Sequence, residues 1–334
     1  MKITLIGSGS WSTALANVLA DNNHETVIYG IVPSEVEDIQ KNHKNTKYFE
    51  NVELNPSIKA TLDIKEALNN AEMVILALPS QFIKKSLKED IEPNLNSKPI
   101  IINVAKGFDT ETHDRLSNVI RKSIDQNKIR GIVSLIGPSH AEEVVIRMFT
   151  AICAVSLDDK LAIEVQNTFS NSYFRVYRHN DEIGAEYAVA TKNVIALASG
   201  VISGLGLGDN SRAALMTRGL AEMVRFGRAV GANERTYLGL TGLGDLIVTC
   251  SSKHSRNFTA GYEIGKLNDA KKFLENNKRT VEGINACKIL HEESKKLGIE
   301  MPLTNAVYSV IFEGVKPSDI VKVMMERELK VEHE

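Results

Sequence analysis

The sequence predicts an α/β fold: an N-terminal, mostly parallel sheet with crossover helices, then a C-terminal, mainly α-helical domain. Three observations carry this expectation. Short β-rich runs alternate with helical segments through the first half of the chain, the order that builds a parallel sheet. A glycine-rich turn joins the first such run to the first helical segment. From about Glu182 onward, stretches rich in Ala, Leu and Gly replace the β-branched clusters. A chain of 334 residues suits about two domains. The change of character places the boundary near residue 185, giving 1–185 and 186–330.

Taken in order, the β-rich runs are Ile3 to Ile6, Thr26 to Tyr29, Met73 to Leu78, Ile100 to Val104, Ile132 to Ile136 and Thr150 to Ser156. Between the first two, Ala14, Leu15, Val18 and Leu19 recur at helical spacing, and Asp21-Asn22-Asn23 supplies a stop. Helical periodicity returns over Ala185 to Gly200 and Arg212 to Val230. The face from Leu215 to Val224 serves an internal contact or a homodimer equally well. The charged end, Glu326 to Glu334, is expected to fray.

Composition excludes several classes. Hydrophobic residues at 43% and charged residues at 25% fit neither wholesale disorder nor a membrane bundle. Forty Lys plus Arg against forty-two Asp plus Glu leave a net charge of −2, without the basic excess of a general nucleic-acid binder. Cys153, Cys250 and Cys287 are odd in number, with no Cys-x-x-Cys pair. Neither a disulfide framework nor a metal site is expected, and a reducing cytoplasm is the expected location. No apolar run is long enough to span a membrane, and Met1 to Ile6 is too short for a signal-peptide core.

Gly7-Ser8-Gly9-Ser10-Trp11-Ser12 follows the first run and opens the first helix, the context of a Rossmann-type dinucleotide site. Gly7 permits the tight turn, Gly9 lets backbone approach a pyrophosphate, and the helix N-terminus offers amides to that anion. Ser12 occupies the third position, where Gly or Ala is usual. After the second run, Tyr29-Gly30-Ile31-Val32-Pro33 offers neither an acid for ribose hydroxyls nor an arginine for a 2′-phosphate. Lys41, Lys44 and Lys47 read as a solvated lysine face. A bare Gly-x-Gly also occurs in ordinary turns; with strand and helix on either side a dinucleotide, NAD(P), is the expected cofactor, its preference unresolved, and the missing arginine favours acceptance of NADH.

Further motifs follow the ends of predicted strands, where ligands bind in such sheets: Pro79-Ser80, Ala105-Lys106-Gly107 and Gly137-Pro138-Ser139-His140-Ala141. Lys106 reads either as a cation for a substrate oxygen or as a surface lysine. Ser139 with Glu142 matches a capping box, so Ser139 also reads as a helix start. Lys192 has Ala188, Val189, Ile195 and Ala196 as its helical neighbours, which points its amine into packing. Such an amine suits proton transfer; a lysine snorkelling to water is the plain alternative. Thr241-Gly242-Leu243-Gly244-Asp245 exposes an acid on a rigid turn or caps a helix. Ser255-Arg256-Asn257 gathers phosphate donors or forms a polar loop, and His140 and His254 lack metal-ligand spacing.

In this order the motifs resemble the bacterial-type NAD(P)-dependent glycerol-3-phosphate dehydrogenase family, from Ile3 to about Val323. Ala190-Thr-Lys-Asn-Val194, Gly208-Asp-Asn-Ser-Arg212, Thr217-Arg-Gly-Leu-Ala-Glu222, Gly242-Leu-Gly-Asp245 and Val281-Glu-Gly283 extend the match through the second half. The resemblance implies reversible reduction of dihydroxyacetone phosphate, a small phosphorylated triose, to sn-glycerol 3-phosphate for glycerophospholipid synthesis. It implies Lys192 as general acid and base, with Asp245 holding that lysine and the substrate hydroxyl. Lys106, Gly137, Ser139, Asn193 and Thr249 are implied near the substrate, and Ser255, Arg256 and Asn257 at its phosphate. Gly7, Gly9, Ser10, Trp11, Lys106, Ala141, Arg256, Val281 and Glu282 are implied at the dinucleotide. The chain departs from the family at Ser12, at Ile31-Val32, where many members carry a basic residue, and at Arg147-Met148-Phe149. The competing readings are a related two-domain dehydrogenase of another small hydroxy or keto acid, and a non-catalytic dinucleotide sensor.

Overall fold

Strands buried on both faces lose the alternation of polar and apolar residues, and the central strands of this chain are near-continuous apolar runs. The strands of the sheet are β1 (Lys2–Ile6), β2 (Glu25–Tyr29), β3 (Lys59–Thr61), β4 (Met73–Leu76), β5 (Ile100–Asn103), β6 (Gly131–Ile136), β7 (Thr150–Val155) and β8 (Phe174–His179). The computed structural model describes residues 1–277, 280–329 and 331–332. The expectation for the charged end falls in part on Lys330, His333 and Glu334, outside the described residues. One eight-stranded sheet forms in the order β3-β2-β1-β4-β5-β6-β7-β8. Side chains alternate across it. Ile3, Leu5, Ile75, Ile100 and Ile102 join one core with Leu15, Val18 and Leu19 of helix Ser10–Asp21. Ile6, Val74, Leu76 and Ile101 join the other, with Ile83, Leu87, Leu116 and Ile120.

All six predicted runs are strands, with one correction of direction. β1 to β6 are parallel, whereas β7 runs antiparallel to β6 and β8 parallel to β7. A parallel return needs a crossover, usually a full helix. The link from β6 to β7 holds only the four-residue helix Ala141–Val144, so the chain turns straight back. β3 and β8 were not expected. β3 has three residues, and β8, on the sheet edge, buries Phe174 and Val176 while Arg175 and Tyr177 face outward, which breaks the apolar run.

The chain divides into two compact units, Met1–Val189 with Leu238–Asp245, and Ala190–Tyr237 with Leu246–Glu334. The division falls inside helix Glu182–Gly204, later than residue 185, and the return of Leu238–Asp245 to the first unit has no counterpart in a single cut. The N-terminal unit is the Rossmann-type sheet; the C-terminal unit is helical. In the latter, the face expected over Leu215 to Val224 turns inward: Leu215, Gly219, Glu222 and Met223 are buried. Glu222 accepts the amides of Leu303 and Thr304 and the Thr304 hydroxyl, satisfying the start of helix Pro302–Phe312. Among the described residues no helix is long and apolar enough to cross a membrane.

The tightest packing in the second unit is between helix Glu182–Gly204 and helix Arg256–Leu267. A Cβ at Gly200 would lie 2.1 Å from the Phe258 carbonyl oxygen, and one at Gly261 would lie 2.0 Å from that of Leu197. The two backbones are in contact. Gly261→Ala is therefore expected to destabilise the protein by about 1–3 kcal/mol, the usual cost of overpacking, read as a lowered midpoint in thermal melting; an unchanged midpoint would show that the crossing tolerates a side chain.

Candidate active site

β1 ends at Ile6, and the chain turns through Gly7 at φ 112°. A Cβ there would sit 2.6 Å from the Ala77 carbonyl oxygen, so glycine is required twice over, by conformation and by space. Gly9 precedes helix Ser10–Asp21 with no side-chain cap, and nothing lies within 4 Å of where its Cβ would be. The Thr13 amide donates to the Gly9 carbonyl, which leaves the amides of Ser10, Trp11 and Ser12 ahead of that helical bond. Open space above bare amides, at the positive end of a helix, fits a pyrophosphate. Ser12 is buried with its Oγ lacking a hydrogen-bond partner among the described residues, while Trp11 packs partly against the core. β1 lies between β2 and β4, where strand order reverses and such sheets open a crevice.

β1, β4, β5 and β6 are parallel neighbours, so the residues after them share one sheet edge. Ser80 opens helix Ser80–Ser86 there, Lys106 follows β5 and Ser139 follows β6. Lys106 Nζ lies 3.6 Å from Asp245 Oδ2. Asp245 corrects both expectations made for it. It is 1% exposed, and it is the first residue of helix Asp245–Ser251 in helical conformation, neither a projecting acid nor an N-cap. The preceding turn packs inward: Leu240 touches the cluster of Ile136, Val155 and Val189, and a Cβ at Gly244 would lie 3.6 Å from Pro138. The capping box at Ser139 does not form. Helix Ala141–Val144 starts one residue later, after His140, and Ser139 Oγ instead donates to the Gly137 carbonyl at 3.0 Å. Ala141 is buried at the first helical position.

In the second unit Lys192 is 1% exposed, and its Nζ donates to Thr249 Oγ1 at 3.0 Å. Beside it in sequence, Asn193 Nδ2 is buried with no hydrogen-bond acceptor among the described residues. A buried donor left this way is costly unless a ligand satisfies it. Asn257 Oδ1 accepts the Gly283 amide at 2.9 Å, and a Cβ at Gly283 would fall 2.6 Å from the Asn193 carbonyl oxygen. Asn193, Asn257 and Gly283 are thus one local cluster. Ser255 caps helix Arg256–Leu267 by accepting the Phe258 amide. Arg256, the first residue of that helix, is exposed and pairs with Glu282 at 3.3 Å; Val281 precedes helix Glu282–Leu297. The starts of two helices, a guanidinium and two amide side chains therefore gather in one place, chemistry suited to an anion.

One residue escaped the sequence reading. Glu35 is buried, accepts a hydrogen bond from Ser8 Oγ at 2.5 Å and pairs with Lys47. Lys47 was expected only as part of a solvated face. Looking two residues past Pro33 for an acid would have found Glu35.

Two family models match successive parts of the chain. The model for the NAD-dependent glycerol-3-phosphate dehydrogenase N-terminus matches residues 2–162, and that for its C-terminus matches residues 181–322. The chain belongs to this family. Glycerol-3-phosphate dehydrogenase [NAD(P)+] of Staphylococcus epidermidis is 46% identical over 331 residues, covering 99% of both chains. Its counterpart in Listeria innocua is 45% identical, covering all of this chain and 98% of its own. The crystal structure of glycerol-3-phosphate dehydrogenase from Coxiella burnetii matches with a TM-score of 0.89 at 32% identity, over 97% of this chain and 98% of that one. As a member of the family the chain is an NAD(P)-dependent oxidoreductase.

The geometry of Gly7 generates a direct test. In Gly7→Ala the added methyl meets the Ala77 carbonyl in a backbone conformation that costs about 1–3 kcal/mol for a non-glycine residue. NADH affinity, followed by fluorescence titration, should fall by roughly tenfold or more; unaltered affinity would remove the turn from the cofactor site.

Proposed function

We propose that the chain catalyses the reversible NAD(P)H-dependent reduction of dihydroxyacetone phosphate to sn-glycerol 3-phosphate, in the cytoplasm, as a supply of backbone for glycerophospholipid synthesis. The observation that carries this reading is the buried Lys192 amine held at Thr249, in the same unit as the cluster formed by Asn193, Ser255, Arg256 and Asn257. Gly7, Gly9, Ser10 and Trp11 hold the pyrophosphate side of the dinucleotide, with Lys106, Ala141, Arg256, Val281 and Glu282 as its further contacts. When bound, the reduced nicotinamide supplies hydride to the substrate carbonyl carbon.

Negative charge then develops on the carbonyl oxygen. A positioned ammonium stabilises that charge and afterwards gives up its proton, which is the role assigned to Lys192. Burial supports it, because a charge aimed at a developing oxyanion acts more strongly where water is excluded. In the reverse direction the neutral amine takes the proton from the alcohol. Thr249 fixes the amine, and Asn193 Nδ2, a buried donor, is available to a substrate oxygen. Lys106, Gly137, Ser139 and Asp245 are the remaining substrate contacts. Ser255, Arg256 and Asn257 take the phosphate, the end of the substrate that does not react, and so align the end that does.

Two measurements test these roles. Lys192→Ala should keep NADH binding yet lose turnover with dihydroxyacetone phosphate by about 10²–10⁴-fold, the usual range for a general acid and base. A dinucleotide sensor would show no such turnover before substitution. Arg256→Ala should raise KM for dihydroxyacetone phosphate by roughly 10–100-fold, as for loss of a charged hydrogen bond worth about 1.5–3 kcal/mol, with a smaller change in kcat. A substrate lacking the phosphate that is turned over equally well would point to another hydroxy or keto acid.

A further inference from the structure

The end of the second strand is where such sheets read the adenosine ribose: an acid accepts its hydroxyls, an arginine receives a 2′-phosphate. The two residues that follow Gly30 do neither. Ile31 and Val32 are apolar and face solvent, Ile31 at 80% exposure. Helix Pro33–Glu37 then directs Glu35 back into the protein, where its side chain is 5% exposed. Its Oε2 accepts from the hydroxyl of Ser8, the residue between Gly7 and Gly9, and its Oε1 lies 2.5 Å from Lys47 Nζ. Asn45 closes the arrangement by donating to the Ser8 carbonyl at 2.9 Å and to Thr13 Oγ1 at 2.8 Å. An acid and its counter-ion are thereby fastened to the turn that carries the pyrophosphate.

We propose that Glu35 is the residue that sets cofactor specificity, selecting the unphosphorylated ribose of NAD(H) and turning away NADP(H). The assignment rests on the reading of Gly7 to Ser12 as the dinucleotide cradle. A carboxylate offers about four lone-pair positions. Ser8 and Lys47 each occupy one, and the remainder can accept from ribose hydroxyls, which are donors. A 2′-phosphate has no such proton at neutral pH and sets like charge against Glu35. Lys47, the cation fastened beside it, is already committed to that carboxylate. The apolar pair Ile31-Val32 supplies no replacement.

The test uses the whole protein and two ligands that need no turnover, ADP-ribose and its 2′-phosphorylated form, titrated by calorimetry, alongside kcat/KM for NADH and NADPH with dihydroxyacetone phosphate. The wild type should favour the unphosphorylated member of each pair by about tenfold or more, and Glu35→Gln, which keeps an acceptor for Ser8 but frees Lys47, should erase or invert that ratio. Lys47→Gln, at an exposed position, should keep or widen it. Equal or reversed preference in the wild type, or a Glu35→Gln variant that weakens both ligands alike, would make Glu35 a loop clamp and overturn the proposal. If neither ligand binds and neither cofactor is turned over, the cradle reading itself fails and the proposal falls with it.

Discussion

The contact that organises the helical unit is between backbones. Gly200 and Gly204 on one helix meet Gly261 and Gly265 on the other at distances that leave no room for a Cβ. Lys192 and Asn193 lie on the first helix, while Arg256 and Asn257 begin the second. Side-chain packing has several rotamer solutions; backbone contact has fewer. The spacing between Lys192 and the helix start at Arg256 and Asn257 is therefore set by the least adjustable interaction available. Gly283 extends the rule, since its amide donates to Asn257 and its lack of a side chain lets it approach Asn193.

Charge inside the fold is handled in a way that separates structure from chemistry. Burial pushes the Glu186 carboxyl up, and the Ser117 hydroxyl and amide together with the Arg115 guanidinium pull it back. Glu222 is likewise raised by burial and opposed by the donors at the start of helix Pro302–Phe312. Each carboxylate takes several donors from one neighbouring helix start, an arrangement that spends its acceptors on the fold. The groups assigned to chemistry are different. Asn193 Nδ2 meets no acceptor among the described residues, and Lys106 stands off from Asp245 at a distance longer than a hydrogen bond. Asn193 and Lys106 thereby keep hydrogen-bonding capacity that Glu186 and Glu222 have spent on the fold.

How far the sequence could be read follows from the same physics. The six strand runs were legible because burial on both faces makes them continuous in Ile, Val and Leu. β8 was not, because an edge strand with Arg175, Tyr177 and Arg178 exposed has no such run. The position of Lys192 was legible from its apolar neighbours at helical spacing, a purely local property. Asp245 and Ser139 were misjudged because local patterns, a glycine turn and a capping box, do not report what packs over them. The order of residues names the motifs; burial and partner choice are tertiary. Glu35 shows this most plainly, since its partners Ser8 and Lys47 lie 27 and 12 positions away.

The placement of Glu35 also separates two functions along one sheet edge. Glu35 lies beyond β2, whereas Lys106 and Ser139 follow β5 and β6, with β1 and β4 between. In a parallel sheet each strand delivers its own loop to the ligand edge, so neighbouring loops vary without altering strand register. Removal of the charge at Glu35 or Lys47, or introduction of one at Ile31 or Val32, changes the electrostatics beside the Gly7 to Ser12 turn. None of them touches the core that positions β5 or β6. On the proposal for Glu35, a change of cofactor preference calls for a new charge balance around Ser8, with Lys106 and Asp245 left where the sheet holds them.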